Sequence, residues 1–242
     1  MKAPGLNLAM KLEVHNDAEA AAQAAAIFVA TEAREAIAAR GRFVMAVSGG
    51  QTPWLMLRAL AHENVPWEGV HFVQVDERVA PAGDPDRNLT HLLESLREID
   101  SLRSDHIHAM PVEAPDLESA ASQYATVLNQ IAGSPAVLDL VHLGLGPDGH
   151  TASLVPGDPV LDVDDKDVAL TAVYQGRRRM TLTYPIINRA RHVLWLVTGK
   201  DKAEIVGRLL NGDTSIPSGR IEKEHALMIA DRLAVDMGTK KE

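Results

Sequence analysis

Apolar positions along this chain follow two rhythms. Six runs are apolar almost throughout: FVMAVS (43–48), VHFVQVD (70–76), LDLVHLG (138–144), DVALTAV (167–173), HVLWLVT (192–198) and ALMIA (226–230). Each is too short for a helix and reads as a buried strand. Between them the apolar positions recur at helical spacing. Residues 17–40 are alanine-rich, with Asp17 placed as an N-cap and Gly41 as the stop. Shorter helices are predicted over 54–62, 88–97 and 202–210. Another over 116–132 puts Leu117, Ala120, Ala121, Tyr124, Leu128 and Ile131 on one side. Strands buried on both faces and alternating with helices predict a mostly parallel, Rossmann-like α/β sheet covered on both sides, with 138–144 at its centre. No repeat or low-complexity linker interrupts the pattern. The expectation is a single α/β domain over 1–242, with room for a small inserted subdomain.

Composition narrows the function classes. The formal charge is −9, and the only dense basic run is Arg177-Arg178-Arg179. Three arginines suit one phosphate and not a duplex, so no nucleic-acid partner is expected. The absence of cysteine removes disulfides, thiolate metal sites and thiol nucleophiles together. No run reaches the roughly 20 apolar residues that span a bilayer. The N-terminal MKAPGLNLAMKLEVHNDAEA lacks the apolar core of a leader. A cytoplasmic protein without a membrane partner is expected, as a monomer or small homo-oligomer.

In an open parallel sheet, ligands bind beyond the carboxyl ends of the strands, so the loops after the strands carry the candidate chemistry. SGGQTP follows the strand at 43–47. Its glycines permit close backbone approach, Ser48 and Thr52 add hydroxyls, and Thr52-Pro53 reads as a helix cap followed by the first helical residue. This loop is an anion cradle, an unliganded turn, or a nucleophile elbow in which Ser48 would need His192 or His225 as base. In DERVAP, strand alternation lets Asp76 and Arg78 share one face while Glu77 points away.

GLGPDGH (144–150) fits Gly-x-Gly-x-x-Gly, but Pro147 and Asp148 make it stiff and acidic where a diphosphate would approach. Asp148 and His150 read better as a pair. In that reading the carboxylate sets the imidazole tautomer and the free nitrogen takes a proton from water; the alternative is that Asp148 caps the turn and His150 is merely exposed. A helix is expected to begin near Thr151. His106, His108 and His142 have no carboxylate partners at ligand spacing, so no metal is expected.

SGGQTP, VDERVAP with DPDRN, and LGLGPDGHTASLVPG, followed by RRRMTLTYPIIN and GKDKAEIV, together resemble the glucosamine-6-phosphate isomerase/6-phosphogluconolactonase family over about residues 40–205. The resemblance implies the sheet of the glucosamine-6-phosphate deaminase fold. It also implies hydrolysis of 6-phospho-D-glucono-1,5-lactone, a pentose phosphate pathway reaction, without metal or organic cofactor. In that reading His150 and Asp148 are catalytic. Ser48, Gly49, Gly50, Thr52, Asp76, Arg78, Arg179 and Lys202 bind the sugar phosphate. The deaminases carry a glutamate five residues after the loop histidine, where this chain has Val155. That departure favours the lactonase over the deaminase. A non-catalytic sugar-phosphate sensor is the further alternative; such a sensor would need a DNA-binding segment, and none fits before residue 40.

Overall fold

The structure, a computed structural model, describes residues 10–235. Much of the segment read above for a leader lies outside them. The chain runs β1 (Lys11–His15), α1 (Ala18–Arg40), β2 (Phe43–Val47), α2 (Gln51–Leu60), β3 (Val70–Gln74), β4 (Asp76–Arg78), α3 (Asn88–Leu96), β5 (Ile107–His108) and α4 (Leu117–Ala132). It continues through β6 (Leu140–Leu143), β7 (Val168–Leu170), β8 (Arg179–Leu182), α5 (Tyr184–Asn188), β9 (His192–Val197), α6 (Ala203–Leu210), β10 (Ala226–Asp231) and α7 (Arg232–Val235).

The main sheet has seven parallel strands in the order β1-β10-β9-β6-β2-β3-β5, with β6 at the centre as the periodicity predicts. Its strands are buried on both faces because successive side chains point to opposite sides. Phe43, Met45 and Val47 enter the core shared with α1, α2 and α3, whereas Val44 and Ala46 enter the one shared with α4 and α6. Helix α1 meets the sheet through Ala21, Ala22, Ala25, Ala26, Ala30 and Ala33, all essentially inaccessible. Small side chains bring its axis close to the strands. Asp17 accepts the N–H of Ala20 at 2.8 Å, and Gly41 closes the helix in the left-handed conformation at φ 75°. Such a cap contributes about 1 kcal/mol.

The second sheet, β4-β8-β7, is antiparallel and corrects two expectations. The run 70–76 is not one strand: it breaks at Val75, whose N–H still bonds to Val47, and β4 then pairs with β8. The run 167–173 does not join the parallel sheet. Only Val168–Leu170 is strand, and it pairs with β8 through a hairpin. A two-residue turn, Gln175-Gly176, with φ values of 51° and 81°, makes that hairpin. This is the left-handed geometry that matches strand twist. The second sheet stands at the carboxyl end of the first and walls one side of the site.

The chain leaves β2 toward β3 and β5, then returns to β6 and continues outward through β9 and β10. The order therefore reverses between β2 and β6. The loops that end those two strands diverge there and open a crevice, the switch point of an open α/β sheet.

Candidate active site

A cavity of about 420 Å³ fills this crevice. Ser48, Gly49, Gly50 and Thr52 line it from the β2 loop, Asp76 and Arg78 from β4, Gly146 and His150 from the β6 loop, Arg179 from β8 and Lys202 from the loop after β9. The structure thus brings together nine of the ten sequence-predicted site residues as lining. The tenth, Asp148, stands behind His150. Among the described residues no helix is long and apolar enough to cross a membrane.

The β2 loop is built differently from expectation. The N-cap of α2 is Gly50, and Pro53 lies on the third helical residue. Thr52 does not cap; its Oγ1 is 2.7 Å from Oγ1 of Thr198 and ties the β2 loop to the β9 loop. The first-turn N–H groups of α2 have no acceptor within the helix. Ser48 is no elbow nucleophile. Its hydroxyl donates to the carbonyl of His142, and its N–H donates to Nδ1 of the same residue at 3.3 Å. His192 opens β9 and His225 precedes β10, so both lie at the amino edge of the sheet, opposite Ser48. His142 is fully buried, and burial pushes its pKa down to about 3, which leaves it neutral.

Strand β4 delivers Asp76 and Arg78 on one face, as alternation predicts, with Glu77 on the other. Glu77 is fully buried and accepts from Nε2 of Gln74 and the N–H groups of Arg78, Asn88 and Leu89 at 2.8–2.9 Å, and the Arg87 guanidinium forms an ion pair with it at 2.9 Å. It caps α3 from outside the helix and so fixes Asn88. The Asn88 amide donates to the carbonyl and side chain of Asp76, and its oxygen accepts from Arg78 at 2.6 Å. Asn88 reads as the start of a helix in the sequence; its place between Asp76 and Arg78 becomes visible only with the tertiary fold. Gly49 is required here because a Cβ would fall 1.9 Å from the Asn88 oxygen.

On the β6 loop, Nδ1 of His150 lies 2.5 Å from Oδ1 of Asp148, which also accepts the His150 N–H at 3.1 Å. Burial pushes the carboxyl pKa of Asp148 up, but the N–H and imidazole of His150 outweigh it and hold the group below its ordinary range. Asp148 is therefore an anion placed to accept the Nδ1 proton of the imidazole. Gly146 makes room for the imidazole: a Cβ there would lie 2.1 Å from Nδ1 of His150. No helix begins at Thr151; residues 151–154 form a tight turn instead. Its Ser153 hydroxyl donates to Asp76 at 2.6 Å, which links the β6 loop to β4.

Three cations face this arrangement. Arg179 is only 6% exposed, and its Nε finds no partner. Burial lowers its pKa, partly offset by Asp76. The Nε of Arg78 is likewise buried and unpartnered. Lys202 pairs with its neighbour Asp201 at 3.1 Å. Tyr174, absent from the sequence-derived site, sits with its ring 4.9 Å beneath the Arg179 guanidinium. The Gln-Gly pair ahead of the arginine run is the hairpin signal that would have found it. Among the described residues no three histidines and carboxylates are placed to hold a metal. His106 and His108 lie at the β5 edge, far along the sheet from His142.

A cation-lined crevice at the switch point, with a carboxylate-oriented histidine at its rim, defines an α/β enzyme for small anionic substrates. The chain belongs to the family described as glucosamine-6-phosphate isomerases/6-phosphogluconolactonase, which matches residues 16–230. A 6-phosphogluconolactonase of Synechocystis is 40% identical over 190 residues, 76% of this chain and 78% of that one. That of Mycobacterium tuberculosis is 33% identical over 239 residues, covering 93% and 97%. The crystal structure of a Thermotoga maritima 6-phosphogluconolactonase superposes with a TM-score of 0.79 at 25% identity, covering 91% of this chain and 98% of that one. A monomeric glucosamine-6-phosphate deaminase shares the fold with a TM-score of 0.83 at 20% identity, covering 95% and 100%.

Proposed function

We propose that this protein hydrolyses 6-phospho-D-glucono-1,5-lactone to 6-phospho-D-gluconate. The Asp148–His150 pair at the rim of a cavity with three cations carries this reading, and the family membership supports it. His150, held by Asp148 in the tautomer with a free Nε2, takes a proton from water. The water oxygen bonds to the lactone carbonyl carbon, and the carbonyl electrons move to oxygen. Cations stabilise that oxyanion in a site partly shielded from solvent. The intermediate then collapses, the bond from carbonyl carbon to ring oxygen breaks, and the imidazolium returns its proton to that oxygen. The acid formed loses a proton to solvent.

Arg78, Arg179 and Lys202 divide the phosphate and the oxyanion between them, with the backbone of Ser48–Thr52 completing the anion cradle. Asp76, already engaged by Asn88 and Ser153, binds sugar hydroxyls. Val155 is buried and does not line the cavity, so its position supplies no ring-opening acid. The deciding experiment follows lactone consumption by the purified protein, with spontaneous hydrolysis subtracted. Turnover no faster than the background would refute the reading.

A further inference from the structure

We propose that the β7–β8 turn is a brace, and that Tyr174 within it is a positioning residue that keeps Arg179 and the Asp148–His150 pair in one register. The proposal rests on the reaction assigned above. Four contacts converge on this turn. The Tyr174 ring presents its face to Cζ of Arg179 at 4.9 Å. The same ring meets the His150 imidazole edge-on, with centroids 5.8 Å apart and planes at 65°. Its hydroxyl lies 3.5 Å from Oδ2 of Asp148, the oxygen that His150 does not use. Gln175 accepts from Nη2 of Arg179 at 3.0 Å, and its amide nitrogen lies 3.4 Å from the tyrosine hydroxyl.

These contacts form one chain from the buried cation to the base. Arg179 needs such a hold: its Nε has no partner, and Gln175 is the side chain that accepts from its guanidinium. A guanidinium is planar, so an aromatic face beneath it and an amide at one edge together fix its plane. The two hydroxyl contacts are long, so the ring and the glutamine do most of the holding. Gln175 adopts φ 51° to make this turn, a conformation uncommon for a residue with a side chain. Tyr174 is only partly buried, and its neighbour Val173 is 68% exposed, so the turn adds little to the core. Its contacts are with site residues.

The test compares Tyr174→Leu and Tyr174→Phe in the full chain. Misplacement of reacting groups by about 1 Å costs up to about 10²-fold in rate. Tyr174→Leu should therefore lower kcat by roughly ten- to a hundredfold, change KM by less than about threefold, and leave Tm near wild type. Tyr174→Phe keeps the ring and should stay within about threefold of wild-type kcat. In an Arg179→Ala background, Tyr174→Leu should cost far less than it does alone, since coupled neighbours are non-additive. Independently of turnover, Tyr174→Leu should shift the ring nitrogen resonances of His150 in the free protein. Wild-type kcat in a folded Tyr174→Leu variant, additivity with Arg179→Ala, or a Phe variant as impaired as Leu would each overturn the brace. If the wild-type protein shows no lactonase activity, the assigned reaction fails, and the resonance comparison alone decides whether the turn holds the pair.

Discussion

Nδ1 of His150 and Oδ1 of Asp148 stand 2.5 Å apart at the rim of the cavity, and a β-carbon on Gly146 would destroy that approach. In the proposed reaction the carboxylate fixes the tautomer and stabilises the imidazolium that forms when water is deprotonated. His150→Ala should lower kcat by about 10²–10⁴, the usual share of general acid–base catalysis. The fold should persist, because His150 is a rim residue. Asp148→Asn should fall less far. Asp148 keeps its charge well below neutral pH, so it does not produce an acid limb there. Its neutralisation removes an anion beside the imidazolium, and the acid limb of kcat/KM should move to lower pH. Rate–pH profiles of the two variants, corrected for hydroxide attack, check both statements.

The unpartnered Nε atoms of Arg78 and Arg179 predict a strong preference for an anionic substrate. Unphosphorylated gluconolactone should be turned over with a far smaller kcat/KM than its 6-phosphate. Lys202→Glu or Arg78→Glu should raise KM strongly, because each places a like charge against a dianion. Equal kcat/KM for the two lactones would remove the phosphate from the cation site.

Val155 is buried beside the turn that follows His150, at the place where the family resemblance puts the extra glutamate of the deaminases. Incubation with glucosamine 6-phosphate should release ammonia no faster than a protein-free control. Sustained release would assign ring opening to another residue.

The parallel sheet was legible because strands buried on both faces write nearly continuous apolar runs, as in FVMAV of β2 and LVHL of β6. The site loops were legible because they follow those strands. The second sheet was not. Its strands are only three or four residues long, and β4 continues the run of β3 with one residue between them, so periodicity had no break to find. Strands β1 and β5 lie at the sheet edges and are only partly buried, which weakens their pattern. Asn88 reaches the site through tertiary contacts with residues 10 to 12 positions away, beyond any local spacing rule.

His71 on β3 packs against two histidines at the sheet edge, with its Nδ1 3.1 Å from Nε2 of His108 and its ring stacked 3.9 Å from that of His106. Burial lowers its pKa to about 4, helped by His106, His108 and Arg42 and opposed by Asp105. The folded value lies below the unfolded value, so between about 6.5 and 4 the unfolded chain binds more protons. Stability should therefore fall as pH drops through that window. His71→Gln should flatten the dependence. Urea midpoints at pH 5 and 7.5 for both proteins measure it, and an equal slope in the variant would assign the effect elsewhere.

Glu77 is the carboxylate most deeply committed to the architecture, and its role separates structure from catalysis. It is fully buried, receives four neutral hydrogen bonds and pairs with Arg87, itself only 2% exposed. Removing Glu77 leaves Arg87 with Glu113, itself half-exposed, as its remaining carboxylate partner, and takes the acceptor from four N–H groups, at a cost of up to about 3–5 kcal/mol. Glu77→Ala should lower Tm by several degrees or more and loosen the start of α3. Asn88 would then lose its hold on Asp76 and Arg78, so activity should fall as well. Glu77→Gln keeps the shape and some acceptors, and should lose less stability. A Glu77→Ala protein with unchanged Tm but abolished turnover would mean that Glu77 acts on the substrate and not on the frame.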